Sequence, residues 1–401
     1  MLMKKVGIIT MHKVNNVGSA LQAYATQAII EKLGYDAFLI DYKYPNEIQF
    51  QNGQYYSIEN EFTPYYFYYN VETQKVNPWW KPRLRKLYHY IRYQRGRQKN
   101  KNDIVAQQFL LFNMFYKQYF KCTRPYYSLA DLTNNPPNAD IFVTGSDQVW
   151  NPYFAKGDTA FLLSFVHGRN KIAFSASFAQ KEIDSDIKNL YKPYLQEYSA
   201  ISLREYNGLS IIKELIGKDA IVTLDPTLLL DRQQWNNLKS EDNLGKYILL
   251  YLLDYAFDPK PDIFLAANYY SRKLGVKVKY IGSIIDCEET KDFEKIRIYG
   301  PVEFITLISN SEMVITSSFH GTSFAINYLK PLVAYVSTNK GDDRQTSLLN
   351  KVGASCSIVR VGQDYTSINP FYDSSEVNRN LSQEREKSIL WLKNSLDDNN
   401  I

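Results

Sequence analysis

A chain of 401 residues is too long for one ordinary core and suits two domains of nearly 200 residues each. Its 45% hydrophobic and 22% charged content and its mild net charge of +5 exclude a disordered or membrane-embedded class and argue against a nucleic-acid partner. No apolar run approaches the ~20 residues of a spanning helix. The apolar stretch behind Lys4 and Lys5 is too short for a secretory signal, so a cytoplasmic protein is expected. The three cysteines, Cys122, Cys287 and Cys356, are widely spaced and support neither a disulfide framework nor a zinc site.

In chain order, Val6–Thr10 reads as a buried parallel strand. Asn15–Ser19 forms a turn, Ala20–Leu33 has helical periodicity, Gly34 stops it, and Tyr35–Asp41 returns as a strand. Such a βαβ start is the opening of a doubly wound α/β fold. From Tyr42 to about residue 103 the alternation breaks down: Tyr55–Tyr69 is crowded with aromatics of no clean period, and Trp79–Lys101 is rich in Lys and Arg. This segment is read as an insertion. Strand-like runs resume at Ile141–Thr144, Lys171–Ser175, Ala200–Leu203 and Ile221–Leu224.

A second series follows. Strands are expected at Tyr247–Leu253, Val276–Ile281, Met313–Ser317 and Leu332–Val336, and helices at Asp262–Leu274, Val302–Asn310, Gly321–Leu329 and Ser382–Leu396. The polar stretch Asn236–Gly245 is the linker. The expected organisation is an N-terminal Rossmann-like domain over 1–235 carrying the insertion at about 42–103. A C-terminal Rossmann-like domain over 244–376 and a final helix and tail over 377–401 complete it. Two such domains face a cleft, with ligands expected at the carboxyl ends of the strands.

Five strand ends carry chemistry-bearing residues. Asn16 and Gly18, at the first strand-to-helix turn, let a ligand approach the backbone or simply cap the helix. Only one glycine stands there, so the G-x-G-x-x-G dinucleotide fingerprint is absent and NAD binding is rejected. Ser146, Asp147 and Gln148 follow the strand Ile141–Thr144; Asp147 is a candidate general base and Gln148 a hydroxyl reader, or the aspartate caps a turn. Arg204 follows Ala200–Leu203 as a candidate anion holder, or pairs with Glu205 or another neighbour. Asp225 and Pro226 read as a chain-turning element. Ser317, Ser318, His320 and Gly321 form a helix start with a titratable group inside it, and Arg344 follows the next strand. No spacing resembles a metal-ligand set. The basic, aromatic stretch Trp79–Lys101 has the composition of a helix lying on an anionic membrane surface, although a helix packed on its own domain has the same composition.

Five stretches taken together are more specific than any one of them. N-x-G-S-x-L-Q-A-Y-A-x-Q (16–27), GSDQVWNP (145–152), SLRE (202–205), LDPTLLL (224–230) with Trp235, and SSFHGTSFAI (317–326) stand in the order found in bacterial polysaccharide pyruvyl transferases, which this chain resembles. The 42–101 segment has no counterpart among those motifs. The resemblance implies two Rossmann-like domains in a GT-B-like arrangement. It also implies phosphoenolpyruvate as donor substrate, no further cofactor, and a cell-surface glycan or its lipid-linked precursor as acceptor. The implied product is a cyclic pyruvate ketal with release of phosphate. The sequence reading adds the expectation of a cytoplasmic location with peripheral contact to the inner membrane face through Trp79–Lys101. It places the donor near Arg204 and His320. Some relatives carry a basic residue where this chain has Ser318, a contact that Arg344 is positioned in sequence to replace. His320 is then the first candidate acid and Asp147 the candidate base. A GT-B nucleotide-sugar glycosyltransferase and a non-catalytic glycan-binding protein are the alternatives.

Overall fold

The computed structural model describes residues 3–43, 104–155, 158–240, 244–254, 256–338 and 342–397, with the strands at 47–51 and 54–58. The stretch Trp79–Lys101 lies outside the described residues.

The first sheet is built on β1 (Lys5–Ile9), β2 (Asp36–Leu39), β5 (Ile141–Thr144), β6 (Asn170–Ala176), β7 (Ala200–Leu203) and β8 (Ile221–Val222). The strands lie in the order β2-β1-β5-β6-β7-β8 and every pairing is parallel. Strands such as Ile141–Thr144 are buried end to end because crossover helices cover both faces of a parallel sheet. Between β2 and β5, residues Glu47–Gln51 (β3) and Gln54–Ile58 (β4) pair as an antiparallel hairpin inside the expected insertion. The second sheet contains β9 (Tyr247–Leu252), β10 (Lys277–Gly282), β11 (Glu294–Lys295), β12 (Met313–Thr316), β13 (Leu332–Val336) and β14 (Ile358–Arg360). Its order, β11-β10-β9-β12-β13-β14, is again all parallel, the 3-2-1-4-5-6 order of a doubly wound sheet. The two Rossmann-like domains expected from the alternation are therefore present.

In such sheets a crevice opens where the strand order reverses. That point lies between β1 and β5 in the first sheet and between β9 and β12 in the second. The helices leaving those strands are α1 (Val17–Lys32), after β1, and α11 (Phe319–Asn327), after β12. α1 is buried on nearly all sides instead of presenting one apolar stripe, because the second domain covers it. Its Tyr24 ring meets Trp235 of α8 (Arg232–Asn236), which meets Phe324 of α11, so one aromatic chain ties the domains at centroid distances of 5.8 and 5.0 Å. Asn327 adds bonds from its Nδ2 to the carbonyls of Thr227 (2.9 Å) and Leu230 (2.8 Å).

Two helices differ from the sequence reading. α11 begins at Phe319, two residues earlier than the expected Gly321, because Ser318 is its N-cap. The last helix, α13, runs from Ser374 to Asp397, eight residues longer at its start than the periodicity indicated; its N-terminal part is polar and its Asp373 accepts from the amides of Ser375 and Glu376. It packs back on the first domain: Trp391 stacks on Phe174, Ser388 accepts from the amide of Leu224, and Asn380 donates to Val352 of the second domain.

Candidate functional site

β1 delivers Asn16, Gly18 and Ser19 to the first crevice. The Asn16 side chain accepts from the amides of Gly18 (2.8 Å) and Ser19 (3.3 Å), so it caps α1. β5 delivers Gly145, Ser146, Asp147 and Gln148. Gly145 sits at φ +113°, and a Cβ there would lie 2.3 Å from the carbonyl oxygen of Phe174. Only glycine lets the chain turn so close to β6. Asp147 adopts φ 74°, a left-handed conformation that aspartate tolerates better than most residues. There its Oδ1 accepts from its neighbour's amide, Gln148 N, at 2.8 Å, and its Oδ2 accepts from the Ser19 hydroxyl at 2.6 Å. The Gln148 side chain is engaged by Asn151 (2.7 Å).

Arg204, at the end of β7, is 4% exposed. Its guanidinium contacts Asp225 Oδ2 at 2.9 Å and Asp147 Oδ1 at 3.4 Å, and it lies 4.4 Å above the Phe319 ring. Its Nε is buried without a partner. Asp225, read from sequence as a chain-turning element, is instead a hub. One oxygen caps α7 (Pro226–Leu229) through the Thr227 amide and hydroxyl. The other takes Arg204 and the Ser146 hydroxyl (3.0 Å) and faces His320 Nε2 at 3.7 Å. That last separation is close enough for charge interaction and too long for a hydrogen bond.

His320 arrives from the second domain, in the first turn of α11. Ser318 caps that turn by accepting from the Gly321 amide at 3.3 Å. Ser317 points elsewhere: its hydroxyl donates to the Leu253 carbonyl and accepts from the Leu253 amide. Arg344 opens α12 (Arg344–Val352), forms a bidentate contact with Asp342, and lies 5.6 Å from the Phe319 ring, on which Arg204 also stacks.

The structure thus brings Gly18, Ser146, Asp147, Arg204 and His320 into one buried cluster that neither domain forms alone, with Arg344 beside it across Phe319. Gln148 and the capping side chains of Asn16 and Ser318 bond within their own turns, and Ser317 bonds to Leu253. Gly321 contributes an amide already held by Ser318. Sequence reading missed Ser19, Asp225 and Phe319 as cluster members; the Asp-Pro after a strand was the available signal, and it was indistinguishable from an ordinary turn.

Burial alone would raise the Asp225 and Asp147 carboxyls. The positive charge of Arg204 and the neighbouring imidazole of His320 outweigh burial and hold both well below the usual carboxylate range. Glu205, fully buried one residue beyond Arg204, behaves oppositely. Burial pushes its carboxyl up to about 7 against the opposing charges of Arg204 and Arg344. Its Oε1 accepts from the Ser177 hydroxyl and from the amides of Phe178 and Ala179. Among the described residues no group of three His, Cys, Asp or Glu side chains is arranged to hold a metal ion, and no helix is long and apolar enough to cross a membrane.

Two doubly wound domains meeting at their switch points around a buried arginine, two carboxylates and a histidine define an α/β protein with a buried charged cluster between its domains. The model of the family described as Polysaccharide pyruvyl transferase matches residues 16–339, and the chain belongs to that family. No curated protein matches it. Among solved structures it is similar to a putative UDP-N-acetylglucosamine 2-epimerase from Listeria monocytogenes, at 10% identity and a TM-score of 0.49 over 98% of this chain and 91% of that one. It is also similar to S. aureus MnaA, solved with UDP, at 12% identity and a TM-score of 0.47 over 96% and 97%. A UDP-N-acetylglucosamine 2-epimerase from Rickettsia bellii gives 10% identity and a TM-score of 0.47 over 99% of both chains.

Proposed function

We propose that the protein transfers pyruvate from phosphoenolpyruvate to a sugar of a surface-polysaccharide precursor, forming a cyclic ketal and releasing phosphate. The observation that carries this reading is the convergence of residues from all five family stretches, Gly18, Asp147, Arg204, Asp225 and His320, on one buried cluster between the domains.

The reaction asks for particular groups. Protonation of the donor's methylene carbon makes its C2 electrophilic, one sugar hydroxyl adds there, and a second displaces phosphate. The donor's anionic groups need donors and positive charge. The unpartnered Arg204 Nε supplies a donor, and the positive ends of α1 and α11, whose first amides are already capped by Asn16 and Ser318, supply favourable charge beside it. His320 is the group that exchanges protons in this scheme. Asp147, its carboxyl held low, is a weak base, and its part is to fix Ser19 and Arg204. The acceptor is lipid-linked, and the basic and aromatic stretch Trp79–Lys101 brings the enzyme to the cytoplasmic membrane face.

The test is direct. Purified protein, incubated with a glycan acceptor and either phosphoenolpyruvate or a panel of UDP-sugars, should release phosphate in the first case and no UDP in the second. His320→Ala should lower turnover ~10²–10⁴-fold. UDP release with no phosphate release would replace this reading with a glycosyltransferase, and glycan binding without either product would replace it with a non-catalytic binding protein.

A further inference from the structure

The two ring nitrogens of His320 stand in different surroundings. Nε2 is buried, has no hydrogen-bond partner, and faces Asp225 Oδ2 at 3.7 Å. Nδ1 lies on the opposite side, over Gly18: a Cβ added to Gly18 would come 2.0 Å from Nδ1, 2.4 Å from Cγ and 2.8 Å from Cε1. These contacts are far inside van der Waals distance, so any side chain at position 18 would drive into the ring. Asp225 is itself locked. Its Oδ1 is held by Thr227, and its Oδ2 by Arg204 and Ser146, with no exposed side-chain surface.

From this arrangement we infer that Nδ1 of His320 is the nitrogen that exchanges the proton with substrate, that Asp225 is the positioning residue behind it, and that Gly18, having no side chain, lets the ring lie in this position. The inference rests on the proposed reaction for its substrate but on geometry alone for its choice of nitrogen. When Nδ1 takes the proton of the attacking sugar hydroxyl, the O–H electron pair forms the new bond to C2. The resulting imidazolium carries its second N–H, on Nε2, toward the Asp225 carboxylate. That carboxylate favours the charged ring and holds the Nε2-H tautomer in the neutral one, leaving the Nδ1 lone pair toward the cleft. When Nδ1 gives the proton up, the same tautomer is restored. The site of proton exchange thus lies against the first turn of α1, where the N–H groups and positive end of that helix favour an anionic donor.

Two measurements test this on the whole protein. The first is nitrogen-15 NMR of the histidine side chains. The chain has four histidines, so comparison with His320→Gln assigns the ring. The neutral ring is expected protonated on Nε2 in the wild type, whether or not phosphoenolpyruvate is a substrate. A neutral ring protonated on Nδ1 would overturn the proposal.

The second compares Asp225→Asn with the wild type. With the carboxylate gone, the neutral ring should lose its preference for the Nε2-H tautomer, and kcat should fall at least tenfold. An unchanged tautomer in a folded variant would overturn the positioning role. If Asp225→Asn does not fold, Gly18→Ala carries the test. It leaves every charge in place and should lower kcat at least tenfold with altered His320 resonances; unchanged turnover and resonances would sink the proposal. Failure of the wild type to release phosphate from phosphoenolpyruvate would count against the proposed reaction and leave the NMR result standing.

Discussion

Replacing Arg204 by methionine keeps much of the volume stacked on Phe319 and removes the charge. The two carboxylates that lose their partner differ in what they lose. Asp225 has no exposed side-chain surface and a 2.9 Å contact, whereas Asp147 is 8% exposed with a longer contact of 3.4 Å. Asp225 therefore sets the magnitude. Removing one partner of a buried pair costs about 3–5 kcal/mol because the remaining charge stays buried. For a domain of this size, that corresponds to a fall in Tm of roughly 6–20 °C.

The pH dependence gives the sharper test. Asp225 has a depressed folded-state pKa, so its contribution is present above the ordinary carboxylate pKa and lost as pH falls through the folded value. Without Arg204 that depression shrinks. The deficit of Arg204→Met should then be largest at neutral pH and narrow below about pH 4, where the unfolded carboxylates protonate. Thermal unfolding of both proteins at pH 7 and at about pH 3, with Arg204→Met/Asp225→Asn as the neutral double variant, measures it. The double variant should regain part of the loss at pH 7. A Tm within a degree or two of wild type at pH 7, or a deficit that is the same at both pH values, would refute the reasoning.

Glu205, whose carboxyl is raised to about 7 from its ordinary 4.5, should make the folded state lose stability as pH rises between those values, by about 3 kcal/mol at most. Glu205→Gln should flatten that slope in melting curves from pH 4.5 to 8, and an unchanged slope would remove Glu205 as its source. Phosphoenolpyruvate at ~100 times its Kd should add about 2.7 kcal/mol of stability, read as a raised Tm, with no effect of NAD; a shift with NAD alone would reverse the donor assignment. Changing Arg83, Arg85, Arg92 and Arg95 together to Glu should abolish co-sedimentation with anionic vesicles at low salt. Equal pelleting of both proteins, or of neither, would assign the stretch to packing.

The alternation of apolar runs made both sheets legible, because strands buried on both faces, such as Tyr247–Leu252 and Met313–Thr316, leave continuous apolar signals. The residues at strand ends were legible as a set. Their partners were not, since the bonds joining Ser19 to Asp147, or Asp225 to Arg204, span 128 and 21 positions and depend on strand order. Periodicity also misplaced the start of α13, where polar residues are fixed by capping and by contacts to Val352 and Lys351 instead of by an apolar stripe. For Tyr55–Tyr69 no clean period of either kind was available to read.

The last helix has a bearing on how the protein is made. Its Trp391 covers Phe174, its Ser388 caps the amide of Leu224, and its Arg385 binds the carbonyl of Leu228, all parts of the first domain. β8, the final strand of that domain's sheet, ends at Val222, and the helix that covers the sheet begins at Ser374. At ~5–20 residues per second, synthesis leaves that face uncovered for about 10–30 s. The N-terminal domain thus emerges first and is completed last. During that interval Phe174 and its neighbours are open to whatever else in the cell binds nascent apolar surface.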